Sequence, residues 1–173
     1  MTPETLSPLL LPALLLLAGT LARQEPPVAA EVARLAPFAG EWDAQVSFPG
    51  APPIAGRAHI RLLEHGSWAV EDFEAEMQGM PFRGHGLFGW DGKAGRYSSV
   101  WVDNMEGKLT LGNGAWDEKA GAFVLHADVD FGEGPQRMRE TWRFEGRDAY
   151  TFTMEPDQAG APAAMSIRYT RRK

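Results

Sequence analysis

Hydrophobic and polar positions alternate with a period of two through most of the chain beyond residue 40, in short runs broken by Gly, Pro or Asp. Such runs read as half-buried strands joined by tight connections. The alternation predicts ten strands, over 41–48, 56–63, 67–77, 82–90, 96–103, 108–116, 122–131, 137–144, 149–154 and 163–171. Asp91-Gly92, opening the connection between the fourth and fifth runs, is a hairpin signal. Ahead of the first strand, Val28, Val32, Leu35 and Ala36 recur at helical spacing and predict a short helix, ended by Pro37 and Gly40, that caps the sheet. Consecutive hairpins with no interleaved helix give an all-β fold. The expected architecture is an up-and-down antiparallel β-barrel of about ten strands, closed so that no edge is left unpaired.

The first residues follow another pattern. Leu9-Leu10-Leu11 and Leu14-Leu15-Leu16-Leu17 precede the small residues Ala18-Gly19-Thr20 and Ala22, the layout of a signal peptide over 1–22 cleaved before Arg23. Met1 to Ser7 departs from the usual layout in carrying Glu4 and no Lys or Arg. Pro12 interrupts the apolar run, which is shorter than the ~20 residues that span a bilayer, so no stable membrane insertion is expected after cleavage. Residues 23–34 read as a linker and the start of the helix, and 35–173 as one barrel domain. An exported protein, periplasmic or secreted, is the expectation.

Composition narrows the chemistry. The absence of cysteine from all 173 residues excludes disulfides, thiolate metal sites and cysteine nucleophiles. A formal net charge of -6 argues against nucleic acid, whose phosphates call for clustered Lys and Arg. The basic cluster Arg171-Arg172-Lys173 reads as a solvated terminus.

Several blocks together carry a family resemblance: Leu35-Ala36-Pro37-Phe38-Ala39-Gly40-Glu41-Trp42-Asp43, Gly79-Met80-Pro81-Phe82-Arg83-Gly84, Gly89-Trp90-Asp91, Tyr97 to Asp103, and Met165 to Arg171. From about Leu35 to the C-terminus the chain resembles the bacterial family catalogued as domain of unknown function 1579 (DUF1579). That resemblance implies a lipocalin-like (calycin-type) barrel and no established activity. It also implies a structural latch, in which the Trp of Gly-x-Trp packs under an Arg of the last strand. By position the pair would be Trp42 and Arg168, with Arg171 as substitute. Haem, carried in some barrels of this architecture by a late-strand histidine, is not expected, because no histidine follows His126. No cofactor is expected.

Motifs that suggest chemistry have structural explanations. Gly84-His85-Gly86-Leu87-Phe88-Gly89 spells a dinucleotide fingerprint, but it runs on into the turn Trp90-Asp91-Gly92 where a helix would be required. Glycines bending a strand explain it better. His59, His65, His85 and His126 fall on separate strands or turns without metal-ligand spacing, and no metal site is predicted. Asp128-x-Asp130-x-x-Glu133 lacks the glycine and terminal glutamate of a calcium loop. In Glu71 to Glu76, alternation sends Asp72, Glu74 and Glu76 to one face, read as solvated, and Glu71, Phe73 and Ala75 to the other.

Two strand faces mix aromatic rings with carboxylates: Tyr97, Ser99, Trp101, Asp103, and Met138, Glu140, Trp142, Phe144. Facing inward, they would put Asp103 and Glu140 in an aromatic cavity, where desolvation raises a carboxyl pKa; alternatively Arg139 or Arg143 neutralises Glu140 near the rim. The first reading is a non-catalytic barrel binding a small, largely apolar ligand, with Tyr97, Trp101, Trp142 and Tyr169 as wall and Asp103 or Glu140 as anchor. The second is a hydrolase or isomerase using the two carboxylates as acid and base. The third is an envelope scaffold whose loops, such as 49–53 or 156–162, meet a partner. Oligomeric state is not legible.

Overall fold

A computed structural model describes residues 29–132 and 134–173. The predicted signal peptide and most of the linker, together with Glu133, lie outside the described residues. Ten antiparallel strands form: β1 (Gly40–Ser47), β2 (Ile54–Leu62), β3 (Trp68–Met77), β4 (Met80–Asp91), β5 (Arg96–Asp103), β6 (Thr110–Asp117), β7 (Ala122–Asp130), β8 (Pro135–Phe144), β9 (Ala149–Pro156) and β10 (Met165–Arg171). Each lies where the alternation predicts it, with ends shifted by at most two residues. Every strand pairs with its neighbours in sequence, and β1 pairs with β10, which closes the barrel.

The predicted helix is shorter than its periodicity suggests. One turn, α1 (Ala30–Ala33), is followed by a 3-10 turn, Ala36–Phe38, because Pro37 has no amide hydrogen to continue an α-helix. The tighter turn drives Phe38 into the barrel, where it is 3% exposed. Its ring meets Phe88, Phe123, Phe144 and Tyr150 at centroid distances of 4.7–5.7 Å. Aromatic packing of this kind plugs one end. The opposite end is furnished with Met77, Met80, Met105, Met138, Met154 and Met165, all of the chain's seven methionines except Met1. Among the described residues no helix is long and apolar enough to cross a membrane.

Within β4, the literal G-x-G-x-x-G is strand throughout, and no helix follows it. A Cβ at Gly84 would overlap the Trp101 indole, one at Gly86 would crowd it at 3.3 Å, and one at Gly89 would overlap Trp68. The glycines make room for tryptophans, and the barrel wall is correspondingly thin there.

Closure is reinforced at the plugged end. Trp42 is fully buried and donates its indole N–H to the Phe38 carbonyl at 2.8 Å. The Arg171 guanidinium lies 4.1 Å from the centre of the Trp42 ring. Its nitrogens donate to the carbonyls of Pro37 (2.8 Å), Ala39 (2.8 Å) and Arg147 (3.0 Å). Gly40 has φ +144°, and a Cβ there would overlap the guanidinium, which explains the glycine of Gly-x-Trp. The latch partner is therefore Arg171, and the assignment to Arg168 is corrected. The reason is strand parity: Ile167, Tyr169 and Arg171 share the inner face of β10, while Arg168 points outward and pairs with Glu145 at 2.7 Å.

Replacing Arg171 with Ala should lower stability by about 2–4 kcal/mol, from loss of the cation–π contact and of three hydrogen bonds from a charged donor. Arg168→Ala should cost no more than about 1 kcal/mol, as for other exposed ion pairs. Urea-denaturation midpoints measure both, and equal losses would refute the assignment.

Candidate functional site

Between the aromatic plug and the methionine end, the side chains leave a cavity of about 130 Å³. Phe38, Phe88 and Tyr150 line it on the plugged side, and Met154 and Met165 on the other. Its walls include Trp101, Trp142, Phe152 and Tyr169. Trp142 stacks on Phe88 at 4.9 Å, and Tyr169 on Tyr150 at 4.3 Å with nearly parallel rings. Into this apolar lining project two carboxyls, Glu140 from β8 and Glu71 from β3. In the ring of ten strands these two are five strands apart in either direction, so the carboxyls come from opposite walls.

Glu140 is 5% exposed, and its Oε2 accepts the Ser99 hydroxyl at 3.1 Å. Gly112 on β6 permits this approach, since a Cβ there would overlap Ser99 Oγ and stand 2.7 Å from Glu140 Oε2. Glu71 Oε1 accepts the Tyr169 hydroxyl at 2.9 Å. Arg139 and Arg143, the alternative partners for Glu140, lie on the outer face of β8, and Arg139 pairs there with Glu155.

Of the six residues predicted to bind ligand, Trp101, Glu140, Trp142 and Tyr169 line the cavity, and Tyr97 and Asp103 do not. Tyr97 is 1% exposed but belongs to the plug, stacked on Phe88 and donating its hydroxyl to the Glu31 carbonyl at 2.8 Å. Asp103 shares the face of Trp101 but ends its strand. Its Oδ1 accepts the amides of Met105 and Glu106 at 2.9 and 2.8 Å, and its Oδ2 accepts the Trp101 indole N–H at 3.0 Å. It is a turn-forming carboxylate that fixes the Trp101 ring, and the paired carboxylates Asp103 and Glu140 do not assemble. Glu71 takes the second place. Alternation sets Glu71 beside Phe73 and Ala75, opposite the solvated acids, but Glu71 is not among the residues predicted to bind ligand. His59, His85 and His126 lie on outer faces near Glu41, Asp72 and Asp157. Among the described residues no group of three His, Cys, Asp or Glu is placed to hold a metal ion.

The family described as "Protein of unknown function (DUF1579)" matches residues 28–171, and the chain belongs to it. No curated protein matches the chain. Among solved structures, the S-type phycobiliprotein lyase CPES from Guillardia theta is similar at a TM-score of 0.53 and 12% identity, over 82% of this chain and 92% of its own. A de novo designed fluorescence-activating β-barrel aligns at a TM-score of 0.47 and 12% identity, over 83% of this chain and 100% of its own. At such identities the likeness to the lyase is one of fold.

Burial sets the electrostatics of the cavity. It pushes the Glu140 carboxyl from 4.5 up to about 7, against the smaller opposing effect of the Ser99 hydrogen bond. Glu71 rises likewise to about 7 through burial, opposed by the Tyr169 hydrogen bond and assisted by the charge of Asp72. Burial also holds the hydroxyls of Tyr150 and Tyr169 well above their usual range. Two acids whose pKa is raised on folding bind protons more tightly in the folded chain than in the unfolded one. Their contribution is full below pH 4.5 and is lost as pH rises through 7. Stability should therefore fall between pH 5 and pH 8, by order of 2–3 kcal/mol for each carboxyl. Glu140→Gln should remove about half of that fall, read from urea midpoints at the two pH values. An unchanged slope in the variant would mean that Glu140 titrates as an exposed acid.

Proposed function

We propose that the barrel is a binding protein for a small, largely apolar molecule, held in the central cavity against Trp101, Trp142, Phe152 and Tyr169 with Glu140 and Glu71 as polar anchors. The observation that carries the reading is a space bounded almost wholly by apolar and aromatic side chains into which only a few polar groups converge. Its volume of about 130 Å³ limits the occupant. Apolar cavities of about 150 Å³ hold benzene, whereas drug-sized ligands need about 300 Å³ or more. The occupant is accordingly one ring or its equivalent. The aromatic plug bars one end, so the route in runs past Met154 and Met165, whose flexible thioethers adapt to a passing ligand. Export belongs to the same proposal, supported by the Leu-rich stretch and the small residues before Arg23.

Toluene or phenol added to the purified protein should alter tryptophan emission, because Trp101 and Trp142 lie in the wall. Ala69, 4% exposed, also lines the cavity. Ala69→Leu should weaken binding at least tenfold while near-ultraviolet circular dichroism stays native. No emission change across a panel of one-ring compounds would refute the binding reading.

A further inference from the structure

We infer that the cavity is built for a protonated amine: a compact monocation whose ammonium group is held by Glu140 or Glu71 while its apolar part lies against the rings. The inference rests on the binding reading above and specifies the ligand class. Its first support is the imbalance of charge. The lining holds two carboxyls and neither Lys, Arg nor His. Buried carboxyls are ordinarily matched by a protein cation, because an unpaired buried charge is costly. Here Arg137 and Arg139 on β8 and Arg168 on β10 pair outside with Asp128, Glu155 and Glu145, and Arg143 lies on the same outer face of β8.

Hydrogen bonding supplies the second support. Among the described residues each carboxyl has one side-chain partner, a hydroxyl: Ser99 on Glu140 Oε2 and Tyr169 on Glu71 Oε1. One oxygen of each is left without such a donor, and an ammonium group brings three. The third support is the wall itself, since the faces of Trp101, Trp142, Tyr150 and Tyr169 attract cations and repel anions. A carboxylate ligand would meet two acids and the negative faces of the rings. A neutral ligand would leave both acids without a counter-charge.

The groups that decide the pH response are few. Glu71 faces Tyr169, with Tyr150 stacked behind it and Asp72 next to it on the outer face of β3; Glu140 faces Ser99. On the plugged side Arg171 donates to the carbonyls of Pro37, Ala39 and Arg147 and stands 3.7 Å from Asp148. An amine cation binds the ionised carboxyl, so its affinity should fall as the acids take up protons below pH 7.

The test is isothermal titration of the full barrel with benzylamine, benzyl alcohol and benzoate, which share a ring and differ in charge. At pH 8 benzylamine should bind at least tenfold tighter than benzyl alcohol, and benzoate should not bind. Benzylamine affinity should drop roughly tenfold per pH unit below 7 as one proton competes for the site. At pH 7, titrations in buffers of different ionisation heat should show protons released on amine binding. Glu140→Gln with Glu71→Gln should abolish the preference for the amine while benzyl alcohol still binds. Should those variants fail to fold, proton release by the unaltered protein decides the matter. Benzyl alcohol binding as tightly as benzylamine, without pH dependence, would overturn the cation inference and leave the binding reading standing. No heat with any of the three would overturn both.

Discussion

The pairing of the first strand with the last is the constraint on which the rest of this structure depends. A ten-stranded antiparallel sheet left open would present two edges, and its inner face would have nothing opposite to enclose a cavity. Backbone hydrogen bonds between β1 and β10 close the ring, and Arg171 lying over Trp42 covers the seam at the plugged end. The same guanidinium ties down the segment carrying Phe38, because it binds the carbonyls of Pro37 and Ala39. Closure and plugging are thus one arrangement. Gly40 belongs to it as much as the tryptophan does, since any side chain there would displace the guanidinium.

The cavity depends on a second complementarity, between glycines and bulky groups one strand away. Gly84 and Gly86 let the Trp101 indole lie against β4, and Gly112 lets Ser99 and Glu140 meet over β6. Ten strands enclose a lumen wider than that of an eight-stranded barrel, and the side chains leave part of it unfilled. Alternation along β8 keeps Glu140 beneath apolar cover, where its charge is disfavoured, and sends every arginine of that strand to the other face.

Much of this was legible in the chain because alternation is a local property. Ten strands, the family, and the inward orientation of Trp101, Glu140, Trp142 and Tyr169 all follow from a period of two and a few blocks of residues. Alternation reports which face a side chain occupies and nothing about its height along the barrel. Tyr97 and Asp103 have the inward parity of Trp101, yet one is spent in the plug and the other in the turn after β5. Parity also distinguishes Arg171 from Arg168 once Ile167 and Tyr169 are taken as inward. Glu71 was obscured for another reason. It stands next to the outward acids Asp72, Glu74 and Glu76, so composition suggests one solvated run, while the pleat separates it from them. Its partner Tyr169 is 98 residues away, and no local pattern could have joined the two.

Both ends of the described chain lie on the plugged side. The chain enters β1 there through Phe38, and β10 ends there at Arg171. Anything joined to the barrel through either terminus, whether a tether, a fused domain or an immobilising tag, would hold it by its stopper. The methionine-furnished end would then face away from the attachment, as a cup is presented when held by its base.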